Sequence, residues 1–192
     1  MAVAPAGATT PAAHGHDQVK IKRAGLWLFF CSEAVLFGLL GTSRYFLEGI
    51  EADELNQLLG LGITTVLVTS SVTAFIAETA LEHNRRGIFL AGISATILLG
   101  LIFAGGVVYE WSIAHFAKEE IFGTLFFAMT GLHASHVISG LLLLSFVLVK
   151  GARGGYDGSN MWPVAAVIMW WHFVDIVWVF YYPTLYLVQG VD

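Results

Sequence analysis

Charge is scarce in this sequence. Asp, Glu, Lys and Arg make up 12% of its 192 residues, about half the share found in an ordinary soluble domain. The nine Lys and Arg residues are scattered through short segments and form no basic patch, which argues against nucleic-acid binding. A single cysteine, Cys31, excludes an intrachain disulfide. Its apolar neighbours suggest a small hydrophobe in a helix interface. There is no Gly-Lys-Ser/Thr phosphate loop, no nucleophile elbow and no zinc-protease helix, so the common soluble-enzyme constellations are missing. The first nineteen residues have no apolar core and do not read as a cleavable signal peptide. Their Ala, Gly, Pro and Thr content predicts a flexible tail over residues 1–22, in which His14 and His16 are solvated rather than metal-holding.

Apolar length is present in abundance. The hydrophobic fraction is 57% and the mean hydropathy +0.75, more than a water-soluble globule can bury. A helix needs about 20 apolar residues to cross a bilayer, and five segments supply them: 24–47, 56–80, 87–111, 121–149 and 161–188. The expected fold is all-α, an integral membrane bundle of five helices forming one domain over residues 23–192. Short polar segments join the spans, as in other helical bundles. Lys20, Lys22, Arg23, Arg85, Arg86, Lys150 and Arg153 fall on one side of such a bundle, against Arg44 and Lys118 on the other. The positive-inside rule then places the N-terminus inside and the C-terminus outside. On the third span, Gly92, Thr96, Gly100 and Ala104 recur every four residues, a face on which another helix can pack closely.

Titratable groups inside three of these spans need an explanation, because a charge at the bilayer centre costs ~2.5–3.5 kcal/mol even on insertion scales. At ~1.5 Å per residue, Glu33 lies about 14 Å from the inner membrane face, His133 and His136 about 12 and 8 Å, and His172 and Asp175 about 16 and 21 Å. These depths overlap to within a helical turn or so. Three readings follow from the residues: a hydrogen-bonded polar network, a metal or haem site, and a proton pathway. His133 and His136, three apart, share a helix face and cannot clamp a haem from both sides. Together with His172 they would offer three imidazole nitrogens of the kind zinc or copper accepts. A neutral Glu33 carboxyl hydrogen-bonded to His136 or His172 would carry less electrostatic cost than a bare carboxylate.

Three motifs carry a resemblance to a known family. They are "LFFCSEAVLF" with Ser32 and Glu33, "GTLFFAMTGLHASHVISG" with Thr130, Gly131, His133, His136 and Gly140, and "WWHFVDIVWVFYYPTLYL" with Trp171, His172, Asp175 and Trp178. "YEW", with Glu110, and "SSVTAFIAETA" fit between them. From about Arg23 to Leu187 the chain resembles subunit III of the haem–copper oxygen reductases, in a short five-helix form found in prokaryotes. The resemblance implies an accessory core subunit of a respiratory terminal oxidase of the cytochrome c oxidase type, in the bacterial inner membrane. It implies no catalytic residue, haem or copper in this chain, with those cofactors held by partner subunits. Subunit I is the main implied partner, with subunit II, small subunits and phospholipid beside it. The implied role is to support proton uptake by subunit I and its stability in turnover. Among the signature residues, His136 is the better placed of the two histidines to meet Glu33. A quinol oxidase subunit III and the accessory subunit of a nitric-oxide reductase are the related alternatives.

Overall fold

In the computed structural model the described residues are 11–46, 55–114 and 121–187, without the side chains of residues 11–18 and of Phe122. They form five long helices: α1 Pro11–Phe46, α2 Gln57–Glu82, α3 Arg86–Ile113, α4 Ile121–Ala152 and α5 Trp162–Tyr182. Each is long and apolar enough to cross a membrane, in agreement with the five spans expected from the sequence. The acidic segment 47–54, Lys118, and the side chains of His14 and His16 lie outside the described residues.

Helix α1 starts earlier than composition suggests. Residues 11–22, expected as part of a tail, are helical. Pro11 opens the helix, a position where its missing N–H is not needed, and Ala12 and Ala13 follow as strong helix formers. Asn56 caps α2, its side-chain oxygen accepting from the Leu59 N–H at 3.0 Å. Two helices end in the same way, with a left-handed residue that closes the last turn. After α2 it is Asn84, at φ 54°, with Asn84 N–H on the Leu81 carbonyl and Arg85 N–H on the Ala80 carbonyl. After α4 it is Gly154, at φ 78°, with the matching bonds to Gly151 and Lys150. The two turns are tied together, since Gly158 N–H donates to the Asn84 side chain at 3.0 Å and Arg86 donates to the Ala152 carbonyl at 2.5 Å. Arg23 lies over the Trp162 ring, 5.5 Å from its centroid, at the same end of the bundle. The basic residues of the two tied turns and Arg23 therefore gather at one end.

The helices touch where one of them lacks a side chain. A Cβ on Gly92 of α3 would stand 2.8 Å from Ala77 of α2, and Thr73 and Thr96 bridge the same pair at 2.8 Å. The small-residue stripe on α3 thus meets three neighbours, because Gly100 faces the Trp171 ring of α5 and Leu141 of α4. Gly140 of α4 packs against neighbouring atoms of the same ring. Trp171 is fully buried and donates its indole N–H to Ser70 of α2 at 2.9 Å, so one side chain on α5 joins the other three inner helices. Helix α5 is the hub: 44% of its apolar window is buried, against 11% for α1.

Helix α1 lies outside this core, along α4 and α5. Cys31 is exposed on it, so the helix-interface position expected for it is not observed. At the C-terminal end of α5, Pro183 cannot donate an intrahelical bond. The chain widens there into a π-turn, Pro183–Leu187, and the Thr184 hydroxyl takes up the Phe180 carbonyl at 2.8 Å. This turn swings Leu185 and Tyr186 into full burial.

Candidate functional site

The α1 seam is aromatic with one polar contact at its centre. Phe30 stacks on Phe173 at 5.1 Å, Phe37 meets the His136 ring edge-on at 4.8 Å, and Trp170 stacks on His136 at 5.5 Å. The Tyr181 hydroxyl donates to the Phe37 carbonyl at 3.0 Å. Between these rings, His136 Nε2 lies 3.1 Å from Glu33 Oε2. Both side chains keep some exposure, 14% for His136 and 18% for Glu33, so the pair sits at the lip of the seam rather than in the core.

The proton inventory of this pair follows from its neighbours. His136 Nδ1 is 2.9 Å from the Leu132 carbonyl, which can only accept, so Nδ1 carries a hydrogen. Nε2 and the Glu33 carboxyl then share one further proton. Either the carboxylic acid donates to Nε2, or Nε2–H donates to the carboxylate. Both arrangements hold the same number of protons and have no net charge. A pair of that kind avoids the cost of a lone charge in hydrocarbon.

His133 belongs to no such pair. It is fully buried, tilted against Trp178 at 4.8 Å and edge-on to Phe103 at 5.7 Å. Neither ring nitrogen has a hydrogen-bond partner among the described residues. One turn separates it from His136 on α4, and that turn carries it from the α1 seam into the α3–α5 core.

The remaining two expected residues form a third site, on the α2 side of α5. His172 Nδ1 is 3.0 Å from Ser71 Oγ, and the Ser71 hydroxyl donates to Asp175 Oδ2 in a short hydrogen bond. The five titratable residues expected as one buried network are therefore divided among three places. Residues three apart on a helix point about 60° apart, given ~3.6 residues per turn, and on the crowded α4 that angle separates a seam from a core. On α5 both His172 and Asp175 reach Ser71, because it lies between them on the facing helix. The three histidines do not converge, and among the described residues no three His, Cys, Asp or Glu side chains gather as a metal site would require.

The other signature residues have structural partners. The Thr130 hydroxyl accepts from the Trp111 indole at 3.0 Å and donates to the Phe126 carbonyl at 2.7 Å. The Trp178 indole donates to Thr64 at 2.9 Å. Glu110 is buried and accepts from the Tyr186 hydroxyl at 2.5 Å, in the position opened by the π-turn. Ser32 donates to the Phe29 carbonyl of its own helix at 2.7 Å. Gly131 faces open space, with no atom within 4 Å of a Cβ built there. Ser71, Tyr186 and Trp170 were missed in the sequence reading. Ser71 had a signal, since Ser70 and Ser71 are hydroxyls in mid-span at the depth of His172 and Asp175.

Five helices of membrane-spanning length around a tryptophan-centred core define a polytopic membrane protein. The profile of the family described as cytochrome c oxidase subunit III matches residues 6–189. Chains of Staphylococcus aureus strain USA300 and of Staphylococcus epidermidis, each described as a probable quinol oxidase subunit 3, are 32% and 30% identical over 185 residues. In both cases the match covers 90% of this chain and 91% of the relative. The chain belongs to the cytochrome c oxidase subunit III family of the haem–copper oxidases. It is a multi-pass protein of the bacterial plasma membrane and associates with other oxidase subunits.

Proposed function

We propose that this chain is the subunit of a respiratory oxygen reductase that carries no redox centre and steadies the subunit that does. The observation that supports this most is the Glu33–His136 pair. Together with the aromatic contacts around it, it ties a whole helix to the bundle, a structural use of two titratable groups. Haem and copper then belong to the partner subunits, with subunit I the main contact, and phospholipid fills the exposed flank of α1. The names of the two staphylococcal relatives favour a quinol as electron donor over the cytochrome c expected from the sequence. The description of the family as cytochrome c oxidase subunit III favours cytochrome c as the second reading.

Purification of the complex through a tag on this chain tests both levels. The reading expects haem absorption in the copurified complex and none in this chain alone. Oxygen consumption driven by a quinol, compared with that driven by reduced cytochrome c, decides the donor. In the same complex, His136→Leu is expected to begin turnover at nearly the normal rate and then to lose activity faster than the wild type. Immediate, complete loss with all subunits present would place His136 in the chemistry itself and defeat the supporting role.

A further inference from the structure

The Ser71–His172–Asp175 site has more acceptors than donors. The Ser71 hydroxyl has one hydrogen and gives it to Asp175 Oδ2. Its oxygen must therefore accept from His172 Nδ1–H, 3.0 Å away, which leaves Nε2 of a neutral imidazole as a lone-pair acceptor. Among the described residues Asp175 Oδ1 is buried without a partner, and the half-buried His172 turns toward the cleft beside it. Asp175 as a whole is 4% exposed. A buried acceptor without a donor costs ~1–3 kcal/mol, so with Asp175 Oδ1 unmatched this cluster is incomplete in the isolated chain.

Its surroundings say what kind of group completes it. The three side chains line a cleft of about 270 Å³ between α2 and α5, rimmed by Val68, Ile176 and Val179. All three rim residues are exposed. That volume falls below the ~300–1,000 Å³ of small-molecule sites and suits an inserted side chain. Ser71 is ~21 Å from the start of α2 and ~17 Å from its end at 1.5 Å per residue, which puts the cleft near the middle of a ~30 Å hydrocarbon layer. Lipid headgroups and bulk water do not reach that depth, and acyl chains have no donor to offer. Helix α1 docks on α4 and on another side of α5, so it cannot serve. The outer face of α3 provides the contrast: Leu98, Leu101 and Ile102 are exposed there, as lipid contact requires.

We propose that the α2–α5 face is where a transmembrane helix of a neighbouring oxidase subunit docks, inserting a hydrogen-bond donor into the cleft beside His172 and Asp175. Polar contacts of this sort fix helix partners in membranes, where apolar surface alone does not discriminate. The proposal rests on the oxidase-subunit reading above. It adds which face meets the partner and what chemistry the partner brings.

Photo-crosslinking in native membranes tests it. Val179→Cys and, separately, Leu101→Cys are made with Cys31→Ser and labelled with a short benzophenone maleimide. On irradiation the probe at 179 is expected to join this chain to another oxidase subunit, and the probe at 101 to give lipid adducts only. Asp175→Asn keeps the side-chain size and turns one acceptor into a donor. It should accumulate in the membrane like the wild type, lose most of the crosslink from position 179, and leave the complex in detergents that retain the wild type. Lipid adducts alone at 179, a crosslink only to a second copy of this chain, or undiminished retention of Asp175→Asn would overturn the proposal. If any of these occurs while the wild-type chain copurifies with haem-bearing subunits, the docking face is wrong and the oxidase reading stands. If the wild-type chain copurifies with no haem-bearing subunit, both fall.

Discussion

Trp171 packs against two glycines, and replacing one of them by alanine probes how tightly the bundle is locked. A Cβ at Gly140 would stand 2.8 Å from Trp171 Cε3 and 3.0 Å from Cζ3, whereas carbon atoms in optimal contact are ~3.5–4.0 Å apart. The ring would have to retreat by something under 1 Å. It has nowhere to go. Gly100 is already as close, with a Cβ there 2.6 Å from Cη2, the ring is fully buried, and the indole N–H is anchored on Ser70. Overpacking of this kind costs ~1–3 kcal/mol. Gly140→Ala also gains ~1 kcal/mol of helix propensity, so Gly131→Ala, with open space around its new methyl, is the control that isolates the clash. Measured as the folded-to-unfolded ratio of the chain in detergent, Gly140→Ala should fall below Gly131→Ala by about 5- to 150-fold, the equivalent of ~1–3 kcal/mol. Equal stability of the two variants would refute the argument, because it would mean that Trp171 has slack.

Three further outcomes follow from the structure. Glu33→Gln should leave α1 docked, since its amide can donate to His136 Nε2. His136→Leu should loosen α1 by ~1–3 kcal/mol through the unpaired carboxyl, seen as faster amide exchange along α1; equal exchange in the two variants would disprove it. A cysteine at position 53 should react with an impermeant reagent in intact cells and one at position 85 should not, and the reverse pattern would overturn the orientation. Asp157, which accepts from the Ser159 hydroxyl and from the N–H groups of Ser159 and Asn160, is held below the usual carboxylate range by these bonds, the Ser159 hydroxyl first. Its contribution to the turn is complete above the ordinary carboxylate pKa near ~3.9 and is lost only as pH falls through the lower native value. Amide protection at Ser159, whose N–H is bonded to the Asp157 side chain, should therefore persist through pH 4, and Asp157→Ala should abolish it at neutral pH.

The five spans were legible because hydrocarbon thickness imposes a length that few other structures share. The positions of the titratable groups along the chain were legible as well. Their partners were not. Depth along a helix axis follows from residue number, but direction around the axis depends on which neighbours pack where. That is why Glu33 and His136 met as the motif suggested, whereas His133, one turn away, turned into the core and His172 faced a serine. Trp171 and Gly140 appeared in the sequence as signature residues without a reason; the reason is a contact between α4 and α5, 31 positions apart. The α1 start at Pro11 was readable from its Pro-Ala-Ala opening, but the tail-like composition obscured it.

The seam that holds α1 also sets a timetable. Glu33 precedes His136 by 103 residues, and α1 leans on α4 and α5, which leave the ribosome after it. At ~5–20 residues per second, Glu33 waits roughly 5–20 s in the membrane before its partner is synthesised. Order of birth and order of docking differ: α1 is inserted before α2 and α3 but is placed only once α4 and α5 have arrived. During that interval the newborn chain carries an unmatched carboxyl inside the bilayer. A membrane insertase or protease that recognises such a group can therefore distinguish an unfinished copy of this protein from a finished one.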